Sequence, residues 1–349
     1  MQKARILSLA TAVPAHVIHQ RDAAHFAAQA FSARYPDFDK IAGVFMTSGI
    51  RQRHAVQPID WYLQPLGWPE RSAAYLAGAC ALFVDAAQRA LDKAGMTAAE
   101  IDTVVTVSST GVATPSIEAR VAEELGFRPG IERVPVFGLG CAGGVSGLSI
   151  AARLAQSRPG SNVLLVVVET CTLSFRMDQL TKANIVATAL FGDGAAALVL
   201  RAEEGGLAEV ETSAQHTWPD TLDIMGWSVD REGLGVIFDR SIPPFAEKEF
   251  GPAAIAMLAG NGLSLAEIDR FVCHPGGAKV VVALERALGL PQGLLEDERA
   301  VLAEYGNMSA PTVFFVLERA LRTGLPARTL LTAMGPGFSA STATLLAAA

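Results

Sequence analysis

The chain repeats itself. Residues 86–102, AAQRALDKAGMTAAEID, align without gaps on residues 253–269, AAIAMLAGNGLSLAEID, at an offset of 167 with 8 identities in 17. Each segment reads as an amphipathic helix that stops near a glycine, Gly95 or Gly262, followed by a short acidic turn ending in Asp. Each then enters a strand (TVVTV at 103–107, RFVCH at 270–274) and a loop of small residues (SSTG at 108–111, PGG at 275–277). Further along, Leu125-Gly126-Phe127 resembles Leu288-Gly289-Leu290, and Gly140-Cys141-Ala142 falls opposite Gly306-Asn307-Met308. Both halves continue with a helix (143–155, 309–321), a buried strand (162–168, 328–334) and a last strand after a glycine-containing turn (192–200, 337–346). An ordered series of matches makes chance likeness between Ala-rich helices a poor explanation.

Helices alternating with short apolar strands imply an α/β architecture with covered sheets. The expected halves are residues 1–210 and 211–349. The stretch from about 206 to 250 has weaker periodicity, and is expected to insert a loop or hairpin between them. No low-complexity linker separates the halves, so tight packing is expected.

The duplication also selects residues. Cys141 and Asn307 occupy equivalent turns, each between an extended segment and a helix N-terminus. A pseudo-twofold relation would bring those turns toward one centre. His274 ends a strand of the second half, just before Pro275-Gly276-Gly277. Three polar residues from distant positions would then converge, as a nucleophilic site requires. A thiolate is the nucleophile, and a helix N-terminus and a neighbouring imidazolium both favour it over the thiol. The glycines of GLGCAGG at 138–144 let an acyl group approach the sulfur. Taken alone, Cys141 would be a buried cysteine, His274 a core histidine and Asn307 a helix cap. The repeat and the flanking residues lift them above those readings. Cys80, Cys171 and Cys273 read as small buried hydrophobes.

Bulk properties narrow the classes. Apolar residues make up 50% and charged residues 18%, which allows a large core. A net charge of −7 gives no footprint for nucleic acid. No apolar run reaches the length of a membrane span, and the apolar start (Ile6 to Val13) is too short and interrupted for a signal peptide and reads as a first strand. The four cysteines form no CxxC pair or zinc-type cluster, which implies no disulfide framework and a reducing, cytoplasmic setting. HExxH and P-loop patterns are missing, so a metal hydrolase or a P-loop nucleotide enzyme finds no support.

At these residues the sequence resembles type III polyketide synthases, the chalcone-synthase-like branch of the thiolase-fold enzymes. The resemblance covers nearly the whole chain through ATAVP at 10–14, STGVATPS at 109–116, GLGCAGG at 138–144, ALFGDGAAAL at 189–198, HPGG at 274–277, EYGNMSAPTV at 304–313 and GPG at 335–337. It implies a five-layer αβαβα fold, a homodimer and a tunnel for coenzyme A thioesters, with no cofactor beyond those substrates. It further implies that Cys141 holds the acyl chain while His274 and Asn307 stabilise the enolate formed from malonyl-CoA.

Phe191 matches the family's gatekeeping aromatic, or else simply packs in the core. The second gate phenylalanine of plant enzymes falls on Val236. Other implied pocket positions are Ser109, Thr114, Cys171, Ser174, Ala187, Ser309 and Pro336, most of them small. With Val236 they suggest room for a long aliphatic starter, as in bacterial alkylresorcinol and alkylpyrone synthases. Of the cations that clamp CoA in plant enzymes only Lys40 is kept, while Gly43 and Thr47 replace the others. Arg51 and Arg53 stand nearby as substitutes or as a solvated basic turn, and Gly276 and Gly277 belong to the same implied CoA site. The competing readings are a carrier-protein condensing enzyme of the initiating kind and a catalytically silent dimeric subunit. No convincing basic docking patch for a carrier protein is visible in the sequence.

Overall fold

A computed structural model describes residues 2–348. The first half contains strands β1 (Ala4–Ala12), β2 (His16–His19), β3 (Gln52–Ala55), β4 (Thr103–Val107), β5 (Glu132–Val136), β6 (Val163–Thr170) and β7 (Asp193–Ala202). Its helices are α1 (Gln20–Phe31), α2 (Phe38–Ala42), α3 (Val44–Thr47), α4 (Trp68–Ala94), α5 (Ile117–Arg120), α6 (Ala122–Leu125), α7 (Gly143–Ser157) and α8 (Lys182–Leu190). The second half contains β8 (Ala208–Thr217), β9 (Met225–Asp230), β10 (Gly233–Phe238), β11 (Arg270–Cys273), β12 (Arg328–Gly335) and β13 (Ser339–Ala347). Its helices are α9 (Ile242–Ala259), α10 (Ala278–Ala287), α11 (Glu296–Tyr305) and α12 (Thr312–Arg322).

Nine strands join in the order β11-β12-β13-β8-β1-β7-β6-β4-β5. The order is a near-palindrome: β1, β4, β6 and β7 correspond to β8, β11, β12 and β13, and β5 alone has no counterpart. Pairing obeys the same symmetry. The β4–β6 and β11–β12 ladders are parallel, whereas β6–β7 and β12–β13 are antiparallel. The two halves meet through two residue pairs of β1 and β8, Arg5 with Glu209 and Ile6 with Ala208.

The layers follow from which faces are apolar. Strand β6 is buried at every residue, because helices cover both of its sides. Helix α4 lies on the outer face of β1, β6 and β7, and α9 on β8 and β13, with α10 packed against α9. Helices α7 and α12 occupy the middle and touch strands from both halves. The result is five layers, αβαβα. The equivalent helices α4 and α9 both end short of a left-handed glycine, Gly95 at φ 66° and Gly262 at φ 74°, as the repeat implied.

The region between the halves differs from the sequence expectation. The hairpin is present as β9–β10, but residues 208–217 form β8, a full member of the large sheet that is the counterpart of β1. Its polar residues, only partly buried beyond Val210, weaken the apolar signal. A division at residue 210 lies within this strand.

The central helices approach each other closely. A Cβ on Gly144 of α7 would collide with the carbonyl oxygen of Ala310, at the entry to α12. Gly144→Ala should therefore destabilise the fold by about 1–3 kcal/mol through overpacking. Chemical denaturation measures this, and an unchanged midpoint would show that the central layer has slack.

Candidate active site

Cys141 sits in a short turn, 140–142, that runs directly into the N-terminus of α7. The preceding Gly140 has φ 47°, and Gly306, before Asn307, has φ 68°. Both have a positive φ, which glycine adopts without strain. Asn307 is tied across the halves: its N–H donates to Leu190 O (2.8 Å), and its carbonyl accepts from Gly192 N–H (3.0 Å). Its side chain is oriented as well. Oδ1 accepts from Ser309 N–H (2.8 Å) and Nδ2 donates to Gly276 O (3.1 Å), leaving one amide N–H for the thiol side. His274 follows β11, and its backbone N–H donates to Thr332 O (2.8 Å).

Cys141, His274 and Asn307 line one cavity together with Phe238, Gly276 and Met334. All three are buried. Neither ring nitrogen of His274 has a hydrogen-bond partner among the described residues. Buried polar groups are normally paired, so this imidazole is left for a ligand. Burial pushes the Cys141 thiol up to about 11, although Ser309 and Asn307 pull it down by hydrogen bonding, and burial pushes His274 down to about 3. The sequence reading expected a lowered thiol pKa from the helix N-terminus. In this buried cavity burial outweighs that effect and favours thiol and neutral imidazole.

A buried carboxyl lies close by. Glu169, on β6, accepts from Ser109 N–H (2.9 Å) and Thr110 Oγ1 (2.8 Å), while its Oε1 has no partner among the described residues. Burial raises it to about 8, and its charge raises both Cys141 and Cys171. The sequence reading missed this residue, although a carboxylate near the end of the apolar run VLLVVVET was visible.

The other pocket positions separate into groups. Phe191, Cys171, Ser174 and Ala187 line a second, apolar cavity with Ile18, Phe26, Ile59 and Phe175. Ser309, at φ 59°, stands beside the thiol. Ser109 supports the nucleophile turn, because its Oγ accepts from Gly138 N–H and Gly140 N–H, both at 3.2 Å. Pro336 packs against Gly140 under the same turn. Thr114 is exposed on the loop after β4 and lines neither cavity of this chain. Val236 is buried but lines neither cavity.

The reading of one reduced gate needs correction. In a strand, residues i and i+2 share a face, and Phe238, two residues on from Val236, faces Phe191 edge-on with ring centroids 6.4 Å apart. Trp227, paired across the hairpin with Val236, approaches Phe191 to 6.2 Å. The aromatic bulk is retained from neighbouring positions.

A vestibule of about 620 Å³ shares Phe238, Gly276 and Val280 with the cavity of Cys141. Lys40, Lys182, Arg240 and Lys279 line it, with Asp239 as an opposing charge, and Gly276 and Gly277 form part of its wall. Two of the cations assigned from sequence lie elsewhere. Arg51 is exposed and pairs with Glu304 at 3.4 Å. Arg53 faces inward, because alternate residues of β3 are buried, and it lines the apolar cavity instead. Lys182, Arg240 and Lys279 were missed, since they come from three elements far apart in sequence.

The family descriptions "Chalcone and stilbene synthases, N-terminal domain" and "C-terminal domain" match residues 1–204 and 209–346. The chain is 36% identical to a putative chalcone synthase of Bacillus subtilis over 350 residues, with 96% of each chain covered. It is 38% identical to a 1,3,6,8-tetrahydroxynaphthalene synthase of Streptomyces peucetius, with 96% of this chain and 91% of the relative covered. The crystal structure of 1,3,6,8-tetrahydroxynaphthalene synthase from Streptomyces coelicolor, a bacterial type III polyketide synthase, superposes with a TM-score of 0.93 at 29% identity over 99% of both chains. The chain belongs to the chalcone and stilbene synthase family, the type III polyketide synthases, and is an acyltransferase. No helix among its described residues is long and apolar enough to cross a membrane.

The neutral imidazole of His274 shares the cavity of the Cys141 thiol and is the base available to take its proton. His274→Gln should therefore slow Cys141 alkylation by iodoacetamide at neutral pH by about tenfold or more. An unchanged rate would show that the two groups do not interact.

Proposed function

We propose that the chain catalyses iterative decarboxylative Claisen condensation of malonyl-CoA onto an acyl-CoA starter held on Cys141. The supporting observation is the single cavity shared by Cys141, His274 and Asn307, reached from a vestibule rimmed by cations.

The chemistry follows from the groups present. The Cys141 sulfur attacks the thioester carbonyl of the starter, and its proton passes to His274. The bond to CoA breaks, and CoA leaves as the thiol with that proton. His274 N–H and the free Asn307 N–H then donate to the thioester oxygen of malonyl-CoA. The bond to the carboxylate breaks, carbon dioxide leaves, and its electron pair becomes the enolate that those donors stabilise. The enolate carbon attacks the acyl carbon on Cys141 and expels the Cys141 thiolate. The lengthened chain is then a CoA thioester, ready to reload. After the last extension the chain cyclises to a pyrone, a resorcinol or a phloroglucinol type.

The CoA phosphates are assigned to Lys182, Arg240 and Lys279, with Lys40 at the rim, through charge-assisted hydrogen bonds. Gly276 and Gly277 leave the wall smooth for the pantetheine arm. The acyl chain is assigned to the cavity behind Phe191. Its small residues Cys171, Ser174 and Ala187 and its apolar wall support an aliphatic starter. A homodimer formed at the β5 edge would cover exposed Val112 (58%) and Phe137 (60%), and it would place exposed Thr114 against the partner.

Incubation with malonyl-CoA and acyl-CoAs from acetyl to about C18, which brackets burial of ~0.8 kcal/mol per methylene, should give pyrones or resorcinols by mass spectrometry. These should vanish in Cys141→Ala. Acceptance of aromatic starters alone would sink the aliphatic assignment, and no malonyl-CoA consumption with any starter would sink the function. Arg240→Ala with Lys279→Ala should raise KM for malonyl-CoA severalfold, more at low than at high salt. An unchanged KM would move the phosphate site elsewhere.

A further inference from the structure

Arg53 is a buried cation with no obvious purpose in an apolar wall. It is 3% exposed, and among the described residues no carboxylate lies within ion-pair distance of it. Desolvation lowers it to about 10, and Asp193 opposes this from further away. Burying a charge without an ionic partner is costly, so an apolar residue of similar length would serve packing better.

What Arg53 touches suggests why a guanidinium is kept. Nη1 donates to Gln20 Oε1 (3.1 Å) and Nη2 to Thr188 O (2.5 Å). Thr188 belongs to the last turn of α8, whose carbonyls have no partner within the helix and carry partial negative charge. Gln20 Nε2 donates to the next carbonyl, Ala189 O (2.9 Å). Arg53 and Gln20 thus clamp the C-terminus of α8 from α1 and β3. The three residues that follow this clamp are Leu190, Phe191 and Gly192. They cross Asn307 as an isolated parallel bridge, with Asn307 N–H on Leu190 O and Gly192 N–H on Asn307 O. The stem of Arg53 lies on the same crossing: a Cβ on Gly192 or on Gly306 would sit 3.3 Å from the Arg53 Cβ.

We propose that Arg53 is a positioning residue, which sets the Phe191 ring and the Asn307 amide together by fixing the crossing of residues 190–192 with Asn307. This rests on the condensing reaction proposed above. A guanidinium fork can hold Gln20 and the helix end at once, whereas a lysine ammonium holds them poorly. Misplacing Asn307 by a fraction of an ångström weakens enolate stabilisation, whereas attack of Cys141 on the starter depends on it less. Displacing Phe191 alters the cavity in which the chain grows.

The test separates two half-reactions in the full-length protein. Malonyl-CoA decarboxylation without starter reads Asn307, and acyl transfer to the enzyme from an acyl-CoA without malonyl-CoA reads the nucleophile. Arg53→Met and Gln20→Leu, whichever folds, should lose decarboxylation by about tenfold or more, lose acyl transfer by distinctly less, and release shorter products. Arg53→Lys should recover part of the decarboxylation. Equal loss in both half-reactions, or none in either with an unchanged product profile, would overturn the proposal and leave Arg53 a purely structural residue. Absence of malonyl-CoA decarboxylation in the unsubstituted protein would instead overturn the condensing reaction itself.

Discussion

The site depends on how closely α7 and α12 approach. Each helix begins at the turn that carries a functional side chain, Cys141 for α7 and Asn307 for α12. Glycine at 143, 144 and 147 removes the side chains that would hold α7 away from Val107, Leu165 and Ala310. The pseudo-twofold relation then brings two helix entries from opposite halves onto one cavity. Small residues here are a requirement of interior packing density, since a well-packed core gives way poorly to an added methyl. The bridge between residues 190–192 and Asn307 depends on the same approach, because it joins the end of α8 in one half to the turn before α12 in the other.

Burial does the electrostatic work. Cys141, His274 and Glu169 are each pushed toward their neutral forms by desolvation. A neutral, buried cavity strengthens the interactions of any charge that later forms within it. In the proposed reaction an enolate oxygen would meet the Asn307 amide, already held by Gly276 O and Ser309 N–H, at no further cost of reorganisation. The vestibule is the opposite environment, wide and lined by four cations, on a chain whose net charge is −7. Anionic substrates would be drawn to the mouth and stripped of water only past Phe238.

How much was legible in the sequence follows from what repeats. The turn glycines, the strand–helix series and the opposition of Cys141 to Asn307 are local patterns, so the duplication exposed them. Strand β8 was hidden because its polar residues Glu209, Glu211, Thr212, Ser213 and Gln215 dilute the apolar signal. Phe238 was missed because matching position by position led to Val236, and only the two-residue period of β10 shows that its neighbour takes the same side. Arg53 was misassigned because charge suggests the surface, whereas β3 turns it inward. Lys182, Arg240 and Lys279 form one patch only after folding, and no spacing rule links them. Glu169 was legible as a charge in an apolar strand, but its closeness to the thiol was not.

The central claim is that the acyl chain is carried on Cys141 and on no other thiol. Cys171 is also buried, also near Glu169, and lines the adjoining cavity, so it is the natural control. Incubating the protein with an acyl-CoA alone, digesting it at mildly acidic pH and mapping the acylated peptide by mass spectrometry separates the two. The acyl mass should fall on the peptide containing Cys141. An acyl group on Cys171, or none on any cysteine, would contradict the account.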